Sequence, residues 1–205
     1  MAATLVTEPT ARTGRGGRPR DPSRDDVIRA AILRLLGEVG YGALTMDAVA
    51  AEAGVGKATI YRRWRTKQDL VVDTVSELNR SWTVDVDSGS LEGDLRQLVH
   101  RMVEMMTSPV GAATRSLLAA MQHEPALIAA YREGPMAVWR RVFAGMWSRA
   151  QARGEVGPDM HQSLAAEAST ALLVQRWLVT HEPVDAAYAD AVLETVVLPL
   201  VRPHR

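Results

Sequence analysis

The sequence contains no cysteine, which excludes a disulfide framework, a thiolate zinc site and a cysteine nucleophile. It lacks any apolar run near the roughly 18 residues that span a bilayer. Met1 to Arg20 is polar and rich in Arg and Gly, with no apolar signal-peptide core. A cytoplasmic chain that does not engage a membrane is therefore expected. The alternation that a half-buried strand needs is missing, and so is any internal repeat. There is no phosphate-cradling Walker loop, no G-x-S-x-G elbow and no dinucleotide fingerprint. His123-Glu124-Pro125 and His181-Glu182-Pro183 fall short of the H-E-x-x-H zinc pattern and read as helix-entry segments. His100 and His161 have no partners at ligand spacing. No metal, cofactor or catalytic residue is expected.

Net charge is also absent, with 24 Lys/Arg against 24 Asp/Glu in 205 residues, but the balance hides an asymmetry. Residues 1–67 hold 12 basic against 7 acidic side chains, a net of +5, and residues 68–205 hold 12 against 17, a net of −5. A basic head on an acidic body points to a head that meets a polyanion. Hydrophobic residues make up 47% of the chain, enough for a packed core and too many for general disorder.

What periodicity there is has the helical step throughout, so the fold is expected to be all-α. Residues 1–22 read as a disordered basic arm. Its Gly17-Arg18-Pro19-Arg20 stretch suits either a DNA minor groove, with Arg18 and Arg20 inserted, or a plain solvated leader. Ser23-x-x-Asp26 reads as the cap of a first helix. Val27, Ile28, Ala31, Ile32, Leu35, Leu36 and Val39 form its stripe, and Gly40 ends it. Thr45 caps a short second helix to about Ala53, and a third runs from about Gly56 to Trp64. Thr66-x-x-Asp69 opens a longer connecting helix over 67–82. The Asp/Ser/Gly-rich stretch after Thr83 reads as a boundary. Residues 83–205 then continue as helices, ended near Ser108-Pro109, bent at Gly134-Pro135, and turning at Gly154 to Asp159.

The informative segment lies within 23–66. Two short helices meeting at Ala53-Gly54-Val55-Gly56 match a helix-turn-helix, whose second helix enters the major groove. At about 100° per residue, Ile60 and Trp64 share one side and pack inward. The other side carries Ala58, Thr59 and Arg62, with Tyr61 on a flank and Lys57 and Arg63 nearer the edges. A small residue at Ala58 admits close approach. Arg62 and Thr59 suit base edges, and Tyr61 suits a phosphate. Thr45 and Lys67 sit at helix starts, where backbone amides also favour phosphate. A solvated basic face is the bland alternative. It is weakened by helices too short to be stable alone.

Residues 24–70 resemble the DNA-binding domain of the TetR family of transcriptional regulators. The resemblance rests on Gly40-Tyr41, Leu44-Thr45-Met46, Val49-Ala50, Ala53-Gly54-Val55, Lys57, Thr59-Ile60-Tyr61, Trp64 and Lys67-Leu70. It implies that Tyr61 and Lys67 touch phosphates and that Gly56, Lys57, Ala58, Thr59 and Arg62 face the groove. Gly56 stands where a Ser or Thr cap is usual, and Trp64 where Phe is more common. Residues 175–183 also resemble one C-terminal subgroup of the family.

The resemblance further implies a body that dimerises and senses a small molecule. Candidate dimer residues are Ala165, Ala168 and Leu172 on one helix, and Val192, Val196 and Leu200 on the last. Candidate pocket residues are Met102, Met106, Leu117, Met121, Trp139, Phe143, Met146, Trp147 and Trp177. Such residues are more often plain core than pocket lining. Arg176, set among apolar residues, needs an acid partner or an anionic ligand if it is buried. The expected function is a homodimeric repressor on a palindromic operator, released by a small-molecule effector. The competitors are a helical small-molecule-binding protein or enzyme that borrowed the domain, and a regulator that needs no ligand.

Overall fold

The computed structural model describes residues 22–83, 85–159 and 163–201. The minor-groove candidates Arg18 and Arg20 lie outside them. Every regular element among the described residues is helical, and no helix there is long and apolar enough to cross a membrane.

The head is built from α1 (Pro22–Glu38), a one-turn α2 (Gly40–Ala43), α3 (Met46–Glu52) and α4 (Lys57–Arg63). Helix α1 already begins at Pro22, so Ser23 falls inside its first turn rather than capping it. Its buried stripe is narrower than the pattern suggests. Ile28, Ala31, Ile32 and Leu36 are buried, whereas Val27 and Val39, at the margins of the stripe, are half exposed. The short α2 is unannounced by any apolar period. It forms because Gly40 takes a left-handed φ of 75° and turns the chain back, which buries Tyr41.

Helix α5 (Lys67–Trp82) carries the chain from head to body. Its start is a full capping box: Thr66 Oγ1 accepts from the Asp69 amide at 3.0 Å, and Asp69 Oδ2 accepts from the Thr66 amide at 3.1 Å. The body comprises α6 (Leu91–Thr107), α7 (Pro109–Ala120), α8 (Pro125–Glu133), α9 (Pro135–Ala152), α10 (Leu164–Gln175), α11 (Ala186–Val192) and α12 (Leu198–Val201). The expected bend at Gly134-Pro135 is a complete break into α8 and α9, with Gly134 non-helical at φ −96°, ψ −100°. Two stretches, Arg176–Thr180 and Leu193–Val197, widen into π turns.

Two apolar clusters divide the molecule. One joins α1, α3, α4 and α5 to Ala113 and Leu117 of α7 and Leu127 of α8. The other fills the body from Leu91 to Val201. Helix α7 therefore belongs to both, with Leu117 on the head side and Leu118 on the body side. Gly111 makes this possible: a Cβ there would lie 2.2 Å from the Met106 carbonyl oxygen, so only glycine lets α7 start so close to the end of α6.

Candidate nucleic-acid interface

The interface is assembled around α4. Thr45 caps α3 by accepting from the Ala48 amide at 3.1 Å. Gly54 then adopts φ 62°, the left-handed residue that turns α3 into α4. Gly56 stands at the N-cap of α4 without a side-chain bond, so its amides depend on water or a ligand.

Ile60 is 0% exposed and Trp64 5%. They hold α4 against the helices beneath it. Trp64 is fixed further by its Nε1 donating to Asp73 Oδ2 of α5 at 3.0 Å. The opposite side of α4 is open: Lys57, Ala58, Tyr61 and Arg62 are exposed and Thr59 is half-buried. Tyr61 is a large ring with 49% of its surface in solvent.

The cations differ in their freedom. Lys57 is fully at the surface and pairs with Asp47 at 2.6 Å. The hydrogen bond and charge of that carboxylate raise the Lys57 pKa. Arg63 pairs with Asp25 and lies over the Trp64 ring at 4.5 Å, so it braces α1 against α4. Lys67 donates to the Tyr41 carbonyl at 2.9 Å and the Gly42 carbonyl at 3.3 Å, over the Tyr41 ring at 4.3 Å. Two of its three donors thus hold α2 in place. No sequence pattern announced the bracing of Arg63 and Lys67, because the Asp25 and Tyr41 partners lie far off in the chain.

Head and body meet through Tyr41. Its amide donates to Ser116 Oγ of α7 at 2.8 Å and its hydroxyl to Glu124 at 3.3 Å. Burial, with Glu124 beside it, pushes the Tyr41 phenol up to about 12.

The remaining candidate residues separate. Met102, Met106, Met146, Trp147 and Trp177 are buried in the body core, with Trp139 and Phe143 packed against it. Leu117 and Met121 belong to the head-side cluster. One pocket lined by all of them is therefore not formed. Met106 and Trp177 do border an open groove of about 1040 Å³. Arg176 is a structural pair rather than a lone buried charge: it bonds Glu182 at 3.1 Å and the Pro183 carbonyl at 2.9 Å, and stacks on Tyr188 at 4.2 Å. Of the dimer candidates, Ala165 and Val192 are consumed by the protomer's own core, since the faces of α10 and α11 that carry them turn inward. Ala168 and Val196 are half-buried, and Leu172 and Leu200 are exposed. Leu164 and Val179 join that apolar surface at 82% and 66% exposure. They were missed because they fall outside the stripe of small residues.

A helix-turn-helix with an uncovered basic second helix, on an all-helical body, defines a DNA-binding regulator. The comparisons agree. Residues 28–74 match the family described as bacterial regulatory proteins, tetR family, and residues 85–196 match the tetracyclin repressor-like C-terminal domain. The chain is 31% identical over 185 residues to a DNA-binding transcriptional repressor TetR of Mycobacteroides abscessus, covering 90% of this chain and 97% of that protein. An HTH-type transcriptional regulator of Mycobacterium bovis is 31% identical over 189 residues, covering 89% of this chain and 92% of its own. The crystal structure of a TetR family transcription regulator superposes with a TM-score of 0.70 at 29% identity, covering 89% of this chain and all of that one. The chain belongs to the TetR family of transcriptional regulators.

Proposed function

We propose that this regulator is a repressor that binds a palindromic operator as a homodimer and leaves it when a small-molecule effector binds the body. The carrying observation is the surface of α4, where exposed Ala58 and Arg62 flank a half-buried Thr59 on a helix held by Ile60 and Trp64. In this reading Arg62 and Thr59 meet base edges. Tyr61, Lys57, and the third donor of Lys67 meet phosphates. Thr45 and Gly56, at the starts of α3 and α4, offer backbone amides to the same phosphates, and Arg63 holds the helix at its entry angle. The homodimer is supported by the apolar surface of Leu164, Leu172 and Leu200 on α10 and α12, which a partner's equivalent helices would cover. The head alone offers few base contacts, and a two-fold pair doubles them at a spacing of about 34–36 Å.

Footprinting on the intergenic DNA beside the protein's own gene, with anisotropy titrations across salt, tests this. Two protected half-sites about one turn apart are expected, with a steep fall in affinity as salt rises. Arg62→Ala loses about 1–3 kcal/mol and blurs the preference at one base pair, whereas Tyr61→Phe weakens all sequences alike. Unchanged affinity in both variants would refute the assigned face, and a single protected half-site would refute the dimer.

A further inference from the structure

The groove beside Met106 and Trp177 has features that the core does not explain. One wall is the end of α1 and the start of α2, with Leu36, Gly37 and Gly40. The floor is α7, and the other wall is the π turn and the irregular segment after it, within 177–184. It therefore lies where the DNA-reading head meets the body. Its floor is tied to the head by the Ser116–Tyr41 bond.

Arg115 projects from α7 into this groove. Among the described residues no carboxylate pairs with it. Its guanidinium lies 4.9 Å from the Trp177 ring, and its Nε is buried without a hydrogen-bond partner. An arginine presents five donors; with Nε covered by the protein, the terminal nitrogens are the ones left to meet water or an acceptor in the groove. The wall opposite is equally unusual. Arg176–Thr180 is a π turn, and His181 holds φ 57°, the one non-glycine residue in the left-handed region among the described residues. Strain of this kind persists where the surroundings over-determine it.

We infer that this groove binds a small organic anion, a single carboxylate on an apolar body, with the carboxylate on Arg115 and the body against Trp177, Leu118 and Leu178. The class follows from the lining. Arg115 is the one arginine or lysine in the lining, Glu182 there is already paired with Arg176, and the rest is mainly apolar, which disfavours a multiply charged phosphate. Planar guanidinium and carboxylate match as a bidentate pair. Because the groove touches α1 and α7 together, filling it changes the seat of the head on the body. That regulatory consequence rests on the repressor reading above, whereas binding itself does not.

The test is calorimetry on the full chain without DNA, using 1-naphthoate and octanoate against 1-naphthamide and octanamide. The acids are expected to bind at least about tenfold more tightly than the amides. Arg115→Gln removes the preference and Arg115→Lys keeps part of it. Ala112→Phe, at an exposed position of α7 that borders the groove, blocks acids and amides alike without entering the core. Four results would each overturn the inference: no acid binding at millimolar concentration, equal binding of acid and amide, an unaltered preference in Arg115→Gln, or a changed oligomeric state in Ala112→Phe, which would make the groove a seat for a second copy. The regulator reading fails separately, through Arg62 and Tyr61 on DNA. If both stand, the acids release DNA from the wild-type protein and not from Arg115→Gln.

Discussion

Trp64 ends α4, and replacing it with Phe isolates what holds the reading helix. Three interactions change. The indole N–H to Asp73, 3.0 Å long, is lost. Because Asp73 is exposed, water can take the vacated place, which limits the cost to about 0.5–1.5 kcal/mol. The face under Arg63, 4.5 Å away, becomes a weaker partner, costing a few tenths of a kcal/mol. A smaller ring in a site 5% exposed leaves a partly relaxed void worth about 1 kcal/mol. Trp64→Phe should therefore lose about 2 kcal/mol and Trp64→Ala about 3–5. Urea unfolding at fixed protein concentration measures both. A cycle with Asp73→Ala isolates the hydrogen bond as a coupling of about 0.5–1.5 kcal/mol. Zero coupling would mean that the bond does not brace α4. A phenylalanine variant as unstable as the alanine one would mean that ring volume is not what fills the site.

Gly54→Ala should cost about 1–2 kcal/mol, purely from its φ of 62°, because nothing lies within 4 Å of the added Cβ; a larger loss by denaturation would contradict the open turn. Gly111→Ala should cost more than about 3 kcal/mol, since its Cβ meets the Met106 and Met105 carbonyls at 2.2 and 2.6 Å; a wild-type denaturation midpoint would refute the close approach of α6 and α7. Asp94 is fully buried and accepts from the Ser88 amide at 2.6 Å, the Ser88 hydroxyl at 2.8 Å and Arg153 at 3.2 Å. Burial pushes its pKa up, but those bonds and the Arg153 charge outweigh it and hold the carboxyl below its usual value. The unfolded chain then binds the extra proton as pH falls, so Asp94's contribution is present above about pH 4 and lost below it. Asp94→Asn should cost about 2–4 kcal/mol at neutral pH and flatten the acid limb of a stability–pH curve; an unchanged limb would show that another carboxylate sets it.

How far the chain could be read depended on sequence distance. Thr45 to Ala48 and Thr66 to Asp69 are bonds across three residues, so their caps stand in the letters themselves. The inward turn of Ile60 and Trp64 follows from helical spacing alone, because α4 is too short to have any other buried side. The same logic fails where partners are remote. Lys67 reads as a free cation at a helix start, yet Tyr41 and Gly42, some 25 residues away, occupy it. Val192 reads as part of a dimer stripe, yet α6 lies under it, and the apolar side chains left exposed there are Leu164, Leu172, Val179 and Leu200. Helix period fixes which residues share a face but not which neighbour that face meets.

The groove is the extreme case of that limit. Its walls come from residues 36–40, 106–122 and 177–184, three stretches that no local pattern joins. Arg115 looks like one more arginine on an amphipathic helix. What sets it apart is that Trp177, 62 positions on, covers its face while no carboxylate among the described residues pairs with it. Residue type alone makes the Met and Trp side chains candidates for a pocket, and the body uses most of them as packing. Apolar type is shared by core and pocket alike. A cation held against an apolar wall without a carboxylate partner is not, and that pairing of Arg115 with Trp177 sets the groove apart from the packing beside it.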